Sequence, residues 1–342
     1  MLTPDALALG VDVGGTKLAS GVVDRAGTVI EKRERRLTPS SSSSGLAGAI
    51  ARLVADVRAD HPAVAAVGIG IAGAVAWPEG TVVFAANHDH RGKLCRAVED
   101  RVGFPVVVDN DANTAAWAEL RAGDVRAQDA LFLAVGTGVG SGFVVDGRLW
   151  RGRRGLGAEL GHMLVRPDSG LRCECGRVGC LETVASAEAL VRFARMLVRQ
   201  HPESHLADLV DGVMQHLTPK MVISAALEGD PLARSAAREV GRWLGRGVAS
   251  VASIFNFEAV VVGGGLSGLG ELLLGPMRVT CEKIVSHGHY LDTPRITCAT
   301  HGNDATMIGA GLLALDEARS RAMRPVGAGV EGGVEILAGS PT

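Results

Sequence analysis

One pattern recurs along this chain and constrains its architecture more than any other. An apolar run meets a glycine-rich turn and is followed at once by a second apolar run. Residues 6–13 lead into Gly14-Gly15-Thr16-Lys17 and then 18–23. Far downstream, 131–135 lead into Gly136-Thr137-Gly138-Val139-Gly140-Ser141-Gly142 and then 143–145. Short apolar runs bounded by glycine read as buried strands, so each copy predicts a hairpin. After the first copy, a turn at 24–27 and a third strand at 28–37 extend a meander. After the second, Asp146-Gly147 signals another tight hairpin. Buried strands are expected at 64–71, 106–109 and 259–262, the last running into Gly263-Gly264-Gly265, with helical material over 186–255. A polar loop, Pro39 and the serines 40–44, precedes a helix starting near Leu46. Two halves that open alike imply an internally duplicated α/β fold of two domains around a central cleft.

Composition narrows the class. With 342 residues, 47% hydrophobic and 21% charged, the chain has material for two cores and is not a disordered sequence. A net charge of −2 gives no electrostatic case for a nucleic-acid partner. No run of about 18 apolar residues is present, and the first ten residues lack a basic segment, so neither membrane nor export is expected. A cytoplasmic location follows as the expectation. Six cysteines are placed unevenly: Cys173, Cys175 and Cys180 cluster, whereas Cys95, Cys281 and Cys298 are scattered and read as small core residues. In a reducing compartment the cluster reads as metal ligation rather than disulfides.

Glycine lets backbone approach a phosphate closely, and threonine adds a hydroxyl donor. A single such turn is better explained by hairpin sterics. Three of them, each following an apolar strand, favour a nucleotide cradle, although none has P-loop spacing. Asp12-Val13-Gly14-Gly15-Thr16-Lys17, Gly136-Thr137-Gly138 and Gly263-Gly264-Gly265 resemble the phosphate and adenosine segments of the hexokinase, actin and Hsp70 ATPase superfamily. That resemblance implies ATP as ligand, Asp12 holding Mg²⁺ (usually through water), and the stretch from Gly263 to Leu266 packing against adenosine.

Two polar constellations remain. In Asp109-Asn110-Asp111-Ala112-Asn113, polar groups gather between a strand end and a helix over 114–120, the place where α/β folds collect ligands. Asp111 is either a helix cap or a general base for a hydroxyl attacking a phosphoryl group. The second is Glu159-Leu160-Gly161-His162, then Cys173, Cys175, Cys180 and Glu182. One imidazole and three thiolates make a closed tetrahedral Zn²⁺ site of structural type, with no position left for water. The flanking Glu159 and Glu182 are either solvated surface charges or acceptors for sugar hydroxyls.

Together, Asn110-Asp111-Ala112-Asn113, Glu159-x-Gly161-His162 and Cys173-x-Cys175-x-x-x-x-Cys180-x-Glu182 resemble the ROK family of bacterial sugar kinases and repressors, over roughly residues 7–320. The resemblance implies ATP-dependent phosphorylation of a hexose and a homodimer. It makes Asp111 the base, with Asn110, Glu159, His162 and Glu182 contacting the sugar and Gly73 and Asn87 adding backbone and amide groups. Arg148-Leu149-Trp150-Arg151-Gly152 and Val262–Gly265 are most similar to the actinobacterial glucose-phosphorylating members, which implies glucose and transfer to O6. After Asn87 this chain reads His88-Asp89-His90-Arg91 where those members often carry tryptophan, leaving N-acetylmannosamine, mannose and fructose as alternatives. Eleven residues before Asp12 leave no room for a winged helix-turn-helix, so a repressor is not expected. A non-catalytic actin-like ATPase would not need the sugar-facing set. The expected division is a first domain of 1–112 completed by a helix over 305–321, a second of 113–304 carrying the zinc loop 162–180, and a disordered tail at 323–342.

Overall fold

The computed structural model describes residues 5–37, 43–85, 90–286 and 291–323. Asn87, His88, Asp89 and the expected tail from residue 324 onward lie outside the described residues. Among the described residues two five-stranded sheets dominate. The first contains β1 (Leu7–Val13), β2 (Lys17–Val23), β3 (Val29–Arg36), β4 (Val64–Ile71) and β7 (Val106–Asn110), in the order β3-β2-β1-β4-β7. The second contains β8 (Ala130–Val135), β9 (Val139–Val145), β10 (Arg148–Trp150), β11 (Ala259–Gly263) and β12 (Arg295–Cys298), in the order β10-β9-β8-β11-β12. Both pair an antiparallel meander with two parallel strands. The duplication read from the glycine turns is therefore a duplication of topology. A small hairpin of β5 (Gly73–Ala76) and β6 (Thr81–Ala85) stands apart.

Strand character follows surroundings. The central β1 and β4 are almost entirely apolar and buried, as parallel strands covered on both faces require. The edge strand β3 alternates half-buried and exposed positions and carries Lys32, Arg33, Glu34 and Arg35, charges that keep an open edge from pairing with another chain.

Helices α1 (Ser43–Asp60) and α2 (Leu94–Val102) pack together on the first sheet around a core that includes Leu9, Ile50 and Ile69. Helices α5 (Ala187–Gln200), α7 (Pro219–Glu228), α8 (Pro231–Phe255) and α9 (Glu271–Val285) build the second core with Leu133, Leu244 and Val260; the short α4 (Glu182–Ala185) and α6 (His205–Asp208) join them. A third cluster joins the halves. Helices α3 (Asp111–Arg121) and α10 (Ala305–Met323) lie in it with Val107 and Ala8 from the first sheet and Phe132 and Val261 from the second. α10 lies directly on β1 and β4, because a Cβ at Gly10 or Gly68 would come within 1.8 Å of an α10 carbonyl.

The sequence reading needs two corrections here. Residues 139–142 are strand, not turn: β9 begins at Val139, paired with Val135. A Cβ at Gly142 would lie 2.6 Å from both the Ala112 carbonyl and the Ala116 methyl, so this glycine serves the close approach of α3 to the sheet. Cys298, read as a core residue, is exposed at the end of the edge strand β12, whereas Cys95 and Cys281 are buried.

Candidate functional site

The carboxyl ends of β1, β4 and β7 are neighbours, with Asp12 opposite Gly70 and Gly70 opposite Asp109. Asp12 therefore sits one strand away from the end of β7, where α3 begins. Asn110 is the N-cap: its side-chain oxygen accepts from the N–H groups of Ala112 (2.8 Å) and Asn113 (3.1 Å), and its amide donates to the Gly73 carbonyl at 3.0 Å. The capping role considered for Asp111 thus belongs to Asn110. Asp111 occupies the first turn, where its carboxylate accepts from the Ala112 N–H at 2.9 Å. Burial pushes the Asp111 carboxyl above the ordinary carboxylate range, against the opposing effect of those hydrogen bonds. Burial, and then the Asp111 charge, push Asp12 up to about 6, with Lys17 working the other way. Asp12 and Asp111, near enough for the Asp111 charge to raise Asp12, are hard oxygen donors of the kind that suits a divalent cation such as Mg²⁺.

Below this pair lies a buried ion pair that sequence reading missed. Asp109 is 1% exposed. It accepts from Arg151 Nε at 2.7 Å, from the Asn110 N–H at 2.8 Å and from the Asn113 amide at 2.9 Å. The Arg151 guanidinium lies 3.8 Å above the Trp77 ring. Arg151 comes from the second half and Asp109 from the first, so the pair ties the chain leading to Glu159 to the strand that presents Asp111. Sequence spacing held no signal for it, because the partners are 42 residues apart.

Glu159 lies at the surface with its carboxyl partly desolvated by its surroundings, and it precedes a short 3₁₀ turn, Leu160–His162. Desolvation raises its carboxyl above the ordinary value, His162 opposes this, and the charges of Asp111 and Glu182 add to it. These charges share one region. Glu182 accepts from the Val139 N–H at 2.9 Å through Oε2, and its Oε1 lies 3.5 Å from the Cys173 sulfur. It thereby joins the second glycine turn to the cysteine cluster.

That cluster is compact. Single donor atoms of His162, Cys173, Cys175 and Cys180 all lie within 4.8 Å of one another. Cys175 and Cys180 sulfurs are 3.6 Å apart, as are Cys173 Sγ and His162 Nδ1. Thiolates bound at about 2.3 Å to a tetrahedral zinc ion lie about 3.8 Å apart, so the donor set fits Zn²⁺. Burial raises the Cys175 thiol, but hydrogen bonds from Arg177 and the neighbouring thiols bring it down to about 6, which favours the ligating thiolate.

The glycine turns are placed as follows. Gly14 donates its N–H to the Lys17 carbonyl at 3.0 Å, and Gly136 to the Gly138 carbonyl at 2.9 Å. Gly15, Thr16 and Thr137 are exposed at the tips. Lys17 opens β2 and pairs with Glu34 at 2.7 Å. Gly264, with φ of 82°, lies against the Val135 backbone, bringing the third turn beside the second. Gly263 and Leu266 are buried, Leu266 in the second core, and Gly265 is exposed. Gly73, with φ of 145°, offers its carbonyl to Asn110, and Asn87 lies outside the described residues. No described helix is long and apolar enough to cross a membrane.

Comparison with known proteins places this geometry among relatives. The model of the ROK family matches residues 8–317. The glucokinase of Streptomyces coelicolor is 41% identical over 312 residues, covering 90% of this chain and 97% of that one. The N-acetylmannosamine kinase of Salmonella typhi is 33% identical over 310 residues, covering 90% and 97%. Among solved structures, a ROK family glucokinase from Streptomyces griseus in complex with glucose and AMPPNP superposes with a TM-score of 0.79 at 42% identity, covering 91% of this chain and all of the other.

Proposed function

The chain belongs to the ROK family, and from that premise we propose that it transfers the γ-phosphoryl group of ATP to O6 of glucose, giving ADP and glucose 6-phosphate. The observation that carries this reading is the setting of Asp111. The cap is supplied by Asn110, and the carboxyl stands within electrostatic reach of both Asp12 and Glu159. Likeness to the Streptomyces griseus glucokinase, a structure with glucose and AMPPNP, supports glucose and ATP as the substrates.

In this mechanism Gly14 to Thr16 and Gly136 to Gly138 surround the phosphates, Gly263 to Leu266 line the adenosine side, and Asp12 would hold Mg²⁺. Bound Mg²⁺ supplies neutralisation of the phosphate oxygens. Glu159, Glu182, Asn110 and His162 orient the sugar hydroxyls, His162 through the ring edge turned away from the cysteines, and Gly73 and Asn87 add backbone and amide groups. Asp111 accepts a hydrogen bond from the sugar O6–H. As the new O–P bond forms and the bond to the ADP oxygen breaks, the proton passes to Asp111. A raised pKa makes its carboxylate the stronger acceptor. Closing of the halves, 1–112 with 305–321 against 113–304, excludes water that would otherwise hydrolyse ATP. His162, Cys173, Cys175 and Cys180 would hold Zn²⁺, which supplies rigidity to the loop between Glu159 and Glu182. We extend the reading to a cytoplasmic homodimer without nucleic-acid or membrane partners.

Likeness to an N-acetylmannosamine kinase favours a second reading in which that sugar is the acceptor. ADP release measured with glucose, mannose, fructose, N-acetylglucosamine and N-acetylmannosamine separates the two. Glucose should give the highest kcat/KM, and a higher value for any other sugar would replace it.

A further inference from the structure

Ser141 interrupts the apolar β9 with a hydroxyl that is buried, at 7% exposure. Its Oγ donates to the Ala158 carbonyl and accepts from the Leu160 N–H at 2.9 Å. Those two backbone groups flank Glu159. Ala158 carries φ of 66°, a left-handed conformation that residues with a Cβ adopt only when their surroundings impose it. The chain leaves Ala158 already reversed, and the Glu159 side chain accepts no capping hydrogen bond from the 3₁₀ turn that follows. Gly161 holds the segment against the same strand, since a Cβ there would lie 2.0 Å from the Val139 carbonyl. The direction of Glu159 is thus set by its neighbours on β9 and not by any bond of its own carboxylate to the local backbone.

We propose that Ser141 is a positioning residue for hexose recognition: its hydroxyl holds the reversed backbone at Ala158 and Leu160 so that Glu159 points at the sugar. The proposal rests on the reading of Glu159 as a sugar contact. It assigns to β9 two tasks, carrying the second glycine turn at its start and aiming a sugar carboxylate two residues further on.

Steady-state kinetics on the full, metal-loaded chain tests it with Ser141→Ala, Ser141→Thr, Glu159→Ala and the double variant Ser141→Ala/Glu159→Ala. Removing the shared hydroxyl should raise KM for glucose about 10- to 100-fold, with KM for ATP unchanged. Ser141→Thr, which keeps the hydroxyl, should restore most of the loss. In the Glu159→Ala background the serine substitution should add nothing, because the group it aims is gone. An unchanged glucose KM in folded Ser141→Ala, equal rises for glucose and ATP, or full additivity in the double variant would each overturn the proposal while leaving Glu159 as a sugar contact. A normal glucose KM in Glu159→Ala would instead remove the underlying reading, and the proposal with it. Ser141→Cys, similar in size and weak in hydrogen bonding, stands in if Ser141→Ala does not fold. Failure of both to fold would make the hydroxyl a folding determinant and overturn the positioning role.

Discussion

Replacing Gly138 by alanine should disable both substrate sites while leaving the fold almost untouched. A Cβ at this position would stand 2.3 Å from Glu182 Oε2 and 3.3 Å from its Cδ. Those atoms are the far end of a flexible side chain, so the clash is relieved by swinging the carboxylate away and costs little in packing. What is lost is the hydrogen bond from the Val139 N–H, 2.9 Å long. Val139 is buried, and a buried donor stripped of its acceptor costs about 1–3 kcal/mol of stability. The displaced Glu182 leaves the sugar side and the glycine turn loses its anchor, so KM should rise for glucose and for ATP together. Tm should fall by no more than about 10 °C. Initial rates over a grid of both substrates, with a thermal melt of the same preparation, measure this. Wild-type KM for both substrates in folded Gly138→Ala would refute the claim that Glu182 couples the turn to the sugar pocket.

Three further outcomes are expected. Asp109→Asn removes one partner of an ion pair whose side chains are 2% and 11% exposed; stranding Arg151 should cost about 3–5 kcal/mol and lower Tm by roughly 6–20 °C in thermal unfolding. Cys175→Ser should release the metal, read as zinc per chain by elemental analysis, and raise KM for glucose; a zinc-free protein with normal KM would strip the cluster of any role in the sugar pocket. The pH dependence has a defined sign. Burial holds the folded-state pKa of Asp111 above its unfolded value, so its favourable contribution to stability is complete below the unfolded pKa and is lost as pH rises through the folded one. At neutral pH Asp111→Asn should therefore melt no lower than wild type, whereas the acid limb of the wild-type rate profile should reflect a carboxyl above the ordinary aspartate range.

Much of this molecule is legible in its sequence. The two glycine-turn hairpins are local and strongly apolar, so their strands and the duplication they imply can be read directly. The cysteine cluster is similarly local, spanning residues 173–180 with His162 a short step upstream. Features made by distant segments were not readable. Nothing in the neighbourhood of Ser141 marks it as a strand residue serving Glu159, because its glycine neighbours imitate a turn and its partners, Ala158 and Leu160, are 17 and 19 residues away. The strands β10 and β12, three and four residues long, are defined by their neighbours in the sheet more than by their own sequences. At position 110 the ambiguity was one of register. Asn and Asp are both good caps, and only the backbone at Asn110, φ −62° and ψ 146°, decides between them. That decision matters, because it leaves the next carboxylate for chemistry.

The role of Asp111 is tested most directly by comparing wild type with Asp111→Asn, following ADP release and glucose 6-phosphate formation with glucose and ATP saturating. The account predicts that wild type forms the two products in equal amounts, and that the variant loses about 100- to 10,000-fold in kcat with KM for glucose little changed. A variant that keeps near-normal kcat would contradict it.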